Sequence, residues 1–191
     1  MKPIAFALLG LTCLLLLPAA SQAGQDRFGT VDTIYADVAV INGTTATVTV
    51  SYFNDENVVG LQIPFKMDAG MNKIVADSAI YTGGRIAEAK WAYPGFRPDT
   101  AIQCVTLGMI ANIGPTDNKL TPGIGRIVTV FISSLEDKKI ENFTIDTTTV
   151  ARGVSLMAVA DLVQGNPPDS VKMTMIERQI KPAWVIRYAK K

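Results

Sequence analysis

Residues able to do chemistry are sparse in this chain, and what is missing narrows its function. No histidine occurs among its 191 residues, which removes Ser-His and Cys-His nucleophilic systems, histidine-containing zinc sites and the commonest general base. Carboxylate pairs can run glycoside hydrolysis, and Glu56, Asp68, Asp77 and Glu88 are available, but sequence places no two of them at a catalytic separation. The turn Asn54-Asp55-Glu56-Asn57 and the pair Asp117-Asn118 offer oxygen ligands for calcium. Neither has the alternating acids and central glycine of an EF-hand loop, so both read as solvated turns. No catalytic residue, metal or cofactor is expected, and the chain reads as a non-enzyme.

Binding residues are easier to find. Trp91, Tyr93, Phe96 and Arg97 fall in a segment, Trp91 to Thr100, whose Pro94, Gly95 and Pro98 read as a loop. Flat rings there can stack on sugar faces or anchor a protein partner while the arginine makes polar contacts; the competing expectation is that the rings cap the core. From Val171 to Lys191 six basic residues face Glu177 alone, interleaved with apolar ones. Trp184, Arg187 and Tyr188 mark this tail as a terminal strand, a dock for another subunit or an envelope contact. Asn42-Gly43-Thr44 and Asn142-Phe143-Thr144 match the glycosylation acceptor pattern.

The elements that must position these residues are strands. Lys2, an apolar run from Ile4 to Leu17, Pro18 and the small residues Ser21 and Ala23 predict a cleaved signal peptide over 1–23, and therefore a secreted or cell-envelope protein. The mature chain would carry equal numbers of acids and bases, which does not suit nucleic acid, and no stable membrane span would remain. Cys104 would be its sole cysteine, expected as a buried thiol, so the core must hold without a disulfide. Period-two alternation predicts strands at Asp37–Phe53 (two arms around an Asn42-Gly43 type I′ turn), Val58–Met67, Ile74–Tyr81, Arg85–Ala92, Ala101–Ile113, Gly125–Ser133, Ile140–Asp146 and Gly153–Val163. Pro64 cannot donate to a ladder, which predicts an edge or bulged strand. The expected fold is all-β: a two-sheet antiparallel β-sandwich over 24–165 after the signal peptide, with 166–191 as an extension packed on the same domain.

The order of segments resembles the cohesin family, β-sandwich modules of extracellular scaffolds related in fold to some cellulose-binding modules. The resemblance lies in the arm Thr45 to Phe53 with its Asn54-Asp55 turn, in Val59-Gly60-Leu61-Gln62-Ile63, and in Phe65-Lys66-Met67-Asp68. It continues through Val105 to Met109, Leu120 to Phe131, and Thr144 to Val150 leading to Gly153-Val154-Ser155-Leu156. It spans roughly Thr30 to Gln164 and implies a cohesin-like jelly roll; Met67 and Ala69 depart from the family's aromatic and proline. What it implies about function is a non-catalytic, exported recognition module for a protein partner, dockerin-like or other, or for a polysaccharide. Dockerin contacts vary among cohesins, so no contact residue is carried over. The alternative is a structural subunit of an extracellular assembly, joined through the Pro64 edge or the tail; an exported carboxylate-dependent hydrolase stands third.

Overall fold

Strand β2 (Thr45–Asn54) carries the cleanest alternation and sits at the centre of the first sheet. Ala46, Val48, Val50 and Tyr52 are buried while Thr45, Thr47, Thr49 and Ser51 are half-buried, as one face against a core and one wetter face require. The computed structural model describes residues 26, 28–111, 118–148, 154–161, 176 and 178–189. The signal-peptide segment, Asp117 and most of 162–177 lie outside them.

The first sheet runs β11-β1-β2-β7-β4, built from β11 (Ala183–Tyr188), β1 (Thr33–Val40), β2, β7 (Gly123–Ser134) and β4 (Ile74–Ile80). The second runs β10-β9-β3-β6-β5, from β10 (Gln179–Ile180), β9 (Met157–Ala160), β3 (Val58–Asp68), β6 (Cys104–Ile110) and β5 (Tyr93–Asp99), with β8 (Thr144–Asp146) also on β3. Pairing is antiparallel except that β11 lies parallel to β1, Thr33 opposite Ala183 through Val38 opposite Tyr188. The inner faces of the two sheets share one apolar cluster, from Ile34, Val48 and Tyr52 to Ile63, Phe65, Leu107 and Trp184.

Several expectations change. Pro64 is not at an edge: β3 is central, with β6 on one flank and β8 and β9 on the other. Ala111 N–H donates to Val59 O and Met67 N–H to Gln103 O, so odd-numbered residues of β3 bond towards the β6 flank. Pro64 therefore points the other way, into the interval after β9 ends at Gln62 and before β8 begins at Lys66, where no described strand needs its missing N–H. This removes the Pro64 edge as a route to assembly.

The Asn42-Gly43 turn is not type I′, because Gly43 (φ 85°) has positive φ and Asn42 does not. Ile41 N–H donates to Thr45 O at 2.8 Å, leaving a three-residue loop in which Asn42 Oδ1 accepts the N–H groups of Thr44 and Thr45. The side chain has taken over the turn that the second left-handed residue would have made. Arg85–Ala92 is likewise not a strand. Arg85–Glu88 is a single helical turn, α1, burying Ile86 and followed by Lys90 at φ 54°; the run Ala87-Glu88-Ala89-Lys90 consists of good helix formers. The expected loop at 91–100 is instead strand β5 along the edge of the second sheet, where its prolines are tolerated.

Within the tail, β11 joins the first sheet beside β1. Trp184 is buried opposite Ile34 and Ile186 packs against the core beside it, so one face of β11 serves the core. Trp184→Ala should destabilise the fold by about 3–5 kcal/mol, read as a lower midpoint in chemical denaturation at unchanged slope.

Candidate functional site

Two regions gather the chain's polar and exposed chemistry: the outer face of the second sheet, and an acidic corner where the first sheet meets the segment before β1.

On the outer face, strand alternation divides the four residues expected to act together. Phe96 lies opposite the buried Leu107 and packs against the core, and Trp91, just before β5, is 6% exposed and part of that core. Tyr93 and Arg97 lie opposite Ile110 and Thr106 on the outward face. Tyr93 (51% exposed) and Ile110 (49%) form an exposed cross-strand pair. Beside them Gly95 and Gly108 leave a bare strip. A Cβ on Gly95 would come within 2.6 Å of Gly108 O, whereas Gly108 has open space above it. Cys104 is buried and free, its thiol pushed up by burial.

In the tail, Arg187 is engaged within the sheet. Its Nε lies 2.6 Å from Asp37 Oδ1 and its guanidinium 5.3 Å from the Tyr35 ring centre. Tyr188 stays half exposed and its oxygen accepts Ile145 N–H at 3.4 Å. With Trp184 buried, the three tail residues do not form one exposed patch.

The acidic corner begins where the buried row of β2 turns polar. Tyr52 and Asn54 continue the inward alternation, and both are fully buried. The Tyr52 hydroxyl donates to Asp32 Oδ2, and Asp32 is itself 0% exposed. Asn54 Nδ2 donates to Glu56 O (2.6 Å) and Thr121 O (3.1 Å), while its Oδ1 accepts from Arg85 at 2.9 Å. Arg85 further binds the carbonyls of Tyr52, Gly123 and Thr121. These bonds fix the Asn54–Asn57 turn so that Asp55 and Glu56 meet Asp26 and Asp32, with one oxygen of each of the four within 4.8 Å of the others.

The acidic turn is therefore not simply solvated: both Glu56 oxygens are shielded from water. Burial, then the neighbouring carboxylates, pushes Glu56 up to about 9. Burial likewise raises Asp32 to about 7, against the Tyr52 hydrogen bond. Asp55 moves down: burial opposes the shift but is outweighed by bonds from Glu56 and Thr30. A buried acceptor without a donor costs about 1–3 kcal/mol, more when charged, so this corner is expensive as a set of bare anions.

Sequence reasoning saw Asp55 and Glu56 but not Asp26 and Asp32, which lie more than twenty residues away. The hint was Asp32 standing directly before an apolar strand. Of the four carboxylates weighed for hydrolysis only Glu56 joins this cluster. Asp68 caps Gly70 N–H, Asp77 accepts from Ser133, and Glu88 sits on α1. From the other acidic loop, Asn118 donates to Lys90 O.

No family model and no curated protein matches the sequence. Among solved structures the chain is similar to a type I cohesin–dockerin complex from Clostridium thermocellum, with 10% identity and a TM-score of 0.56 over 83% of this chain and 99% of that one. It is also similar to a type II cohesin–X-dockerin complex from Acetivibrio cellulolyticus, with 11% identity and a TM-score of 0.51 over 82% and 95%. The fold is cohesin-like, an all-β two-sheet sandwich. Among the described residues no helix is long and apolar enough to cross a membrane.

The raised carboxyls give a pH prediction. A group whose pKa is higher folded than unfolded stabilises fully below its unfolded value and loses that contribution as pH rises through the folded value. In chelator-containing buffer the chain should lose thermal stability relative to Glu56→Gln as pH rises from about 4.5 to about 9, as read by paired melting curves.

Proposed function

We propose that this chain is an exported, non-catalytic module that recognises a protein partner of the dockerin type through the outer face of its second sheet. The observation that carries this reading is the exposed Tyr93–Ile110 pair beside the bare Gly95–Gly108 strip, with Arg97 two residues beyond Gly95 on the same strand. Tyrosine and arginine are enriched at the centres of protein interfaces, and a flat strip of glycine lets a partner approach the sheet closely. The two similar solved structures named above are complexes of a cohesin with a dockerin or X-dockerin, which supports a protein as the ligand class. A glycan platform needs several rings on one face; of these three rings, Trp91 and Phe96 face the core and Tyr93 faces outward. The apolar run and small residues before Gln25 support export. The missing histidine, and the placement of Asp68, Asp77 and Glu88 on elements apart from Glu56, support a binding role over a catalytic one.

Calorimetric titration against a panel of type I and type II dockerins tests the reading. Tyr93→Ala and Arg97→Ala should each weaken binding at least ~10-fold. Gly108→Trp should block it without loss of fold, because the space above that position is open. No binding across the panel, or binding indifferent to all three substitutions, overturns the proposal.

A further inference from the structure

The carboxylates of the acidic corner are held in a common way. Asp26 Oδ1 accepts Phe28 N–H at 2.8 Å, Asp55 Oδ2 accepts Thr30 N–H at 2.5 Å, and Asp32 Oδ2 accepts the Tyr52 hydroxyl. Each aspartate thus has one oxygen anchored by a protein donor. The other oxygens, Asp26 Oδ2, Asp32 Oδ1 and Asp55 Oδ1, together with both oxygens of Glu56, are buried from water and find no hydrogen-bond donor outside the four carboxyl groups themselves. No described lysine or arginine forms an ion pair with any of the four residues. Arg85, which feels the Asp32 charge, spends its donors on carbonyl and amide oxygens.

Clustering alone would not make this a site, since acidic groups gather on many surfaces. Asp32 supplies the independent observation. It is 0% exposed, its Oδ1 has neither water nor a donor from outside the cluster, and one of its oxygens lies within 4.8 Å of an oxygen of each of the other three carboxylates. Gly29 adds a shape constraint, because a Cβ there would collide with the Asp55 carboxylate. The chain before β1 lies so close to the turn after β2 that a side chain at this position would displace the Asp55 carboxylate.

We propose that these residues bind a calcium ion, with Asp26, Asp32 and Asp55 each giving one oxygen and Glu56 giving two. The donor set is entirely hard oxygen, without nitrogen or sulfur, which suits calcium, magnesium or manganese over zinc or copper. Five carboxylate oxygens offered directly by the protein suit calcium, which takes six to eight oxygens in flexible geometry; magnesium holds its waters and a strict octahedron. Buried, anchored second oxygens are how a cation site keeps its ligands oriented. The ion would tie the segment before β1 to the β2–β3 turn, a link that no disulfide makes, since Cys104 is free.

Titration of calcium chloride into the chelator-stripped full chain, followed by calorimetry and melting curves, tests the site. The expected result is one ion per chain and a rise in melting temperature of about 5 °C or more at saturation, with a clearly smaller rise at the same magnesium concentration. Glu56→Gln and Asp26→Asn should each weaken calcium binding at least ~10-fold while circular dichroism keeps its strand signature. Gly29→Ala, which changes no charge, should weaken it as well by displacing Asp55, and it stands in where loss of a carboxylate prevents folding. Asp68→Asn, outside the corner, should leave binding unchanged. No calcium uptake by the stripped chain, an affinity indifferent to Glu56→Gln, Asp26→Asn and Gly29→Ala, or an equal response to magnesium overturns the proposal.

Discussion

The inward row of β2 is the constraint on which the rest of the structure depends. Ala46, Val48 and Val50 fill the space between the sheets with apolar volume, and the same alternation then carries Tyr52 and Asn54 inward. Both bring polar atoms into a place without water, where each must find a partner. Tyr52 finds Asp32, and Asn54 finds Arg85, Glu56 O and Thr121 O. The polar end of one strand therefore recruits the residue before β1, the helical turn α1, the start of β7 and the turn into β3. A sandwich with no disulfide gains a fixed corner from hydrogen bonds, at the cost of gathering carboxylates.

The two candidate regions are separate in kind. The outer face of the second sheet offers the exposed Tyr93–Ile110 pair, Arg97 and a strip of bare backbone, the features on which the proposed contact with a protein partner rests. The acidic corner offers buried charge on anchored groups and suits a small cation. Neither arrangement brings a nucleophile to a base. The carboxylate cluster found among the described residues is held by protein donors from outside, an arrangement that fits the proposed ion.

Much of the fold was legible in the residues because period-two alternation survives folding unchanged: β2, β3, β4 and β7 lie where that pattern puts them. Resemblance to cohesins extended this to the whole sandwich. The misreadings have local causes. Asn42 replaced a left-handed turn residue with side-chain hydrogen bonds. The short alanine-rich run after Gly84 was too brief for a periodicity to separate helix from strand. Pro64 looked like an edge residue because a sequence carries no information about where neighbouring strands stop, and the interval between β8 and β9 is set by their separate registers on β3.

The site was less legible for a related reason. Alternation within β5 places Tyr93 and Arg97 on one face and Phe96 on the other, and it takes effect only once the segment is known to be a strand; read as a loop, all four residues were equivalent. By itself the sequence determined the class of the fold, the absence of histidine chemistry and the apolar identity of the core, since these follow from residue type and local period. Tertiary structure alone decided which residues meet. Asp26 and Asp32 reach Asp55 and Glu56 because β1 and β2 are paired antiparallel, so that the chain entering β1 lies beside the chain leaving β2. Through-space electrostatics acts on that proximity, and proximity across more than twenty residues is not written in any local pattern.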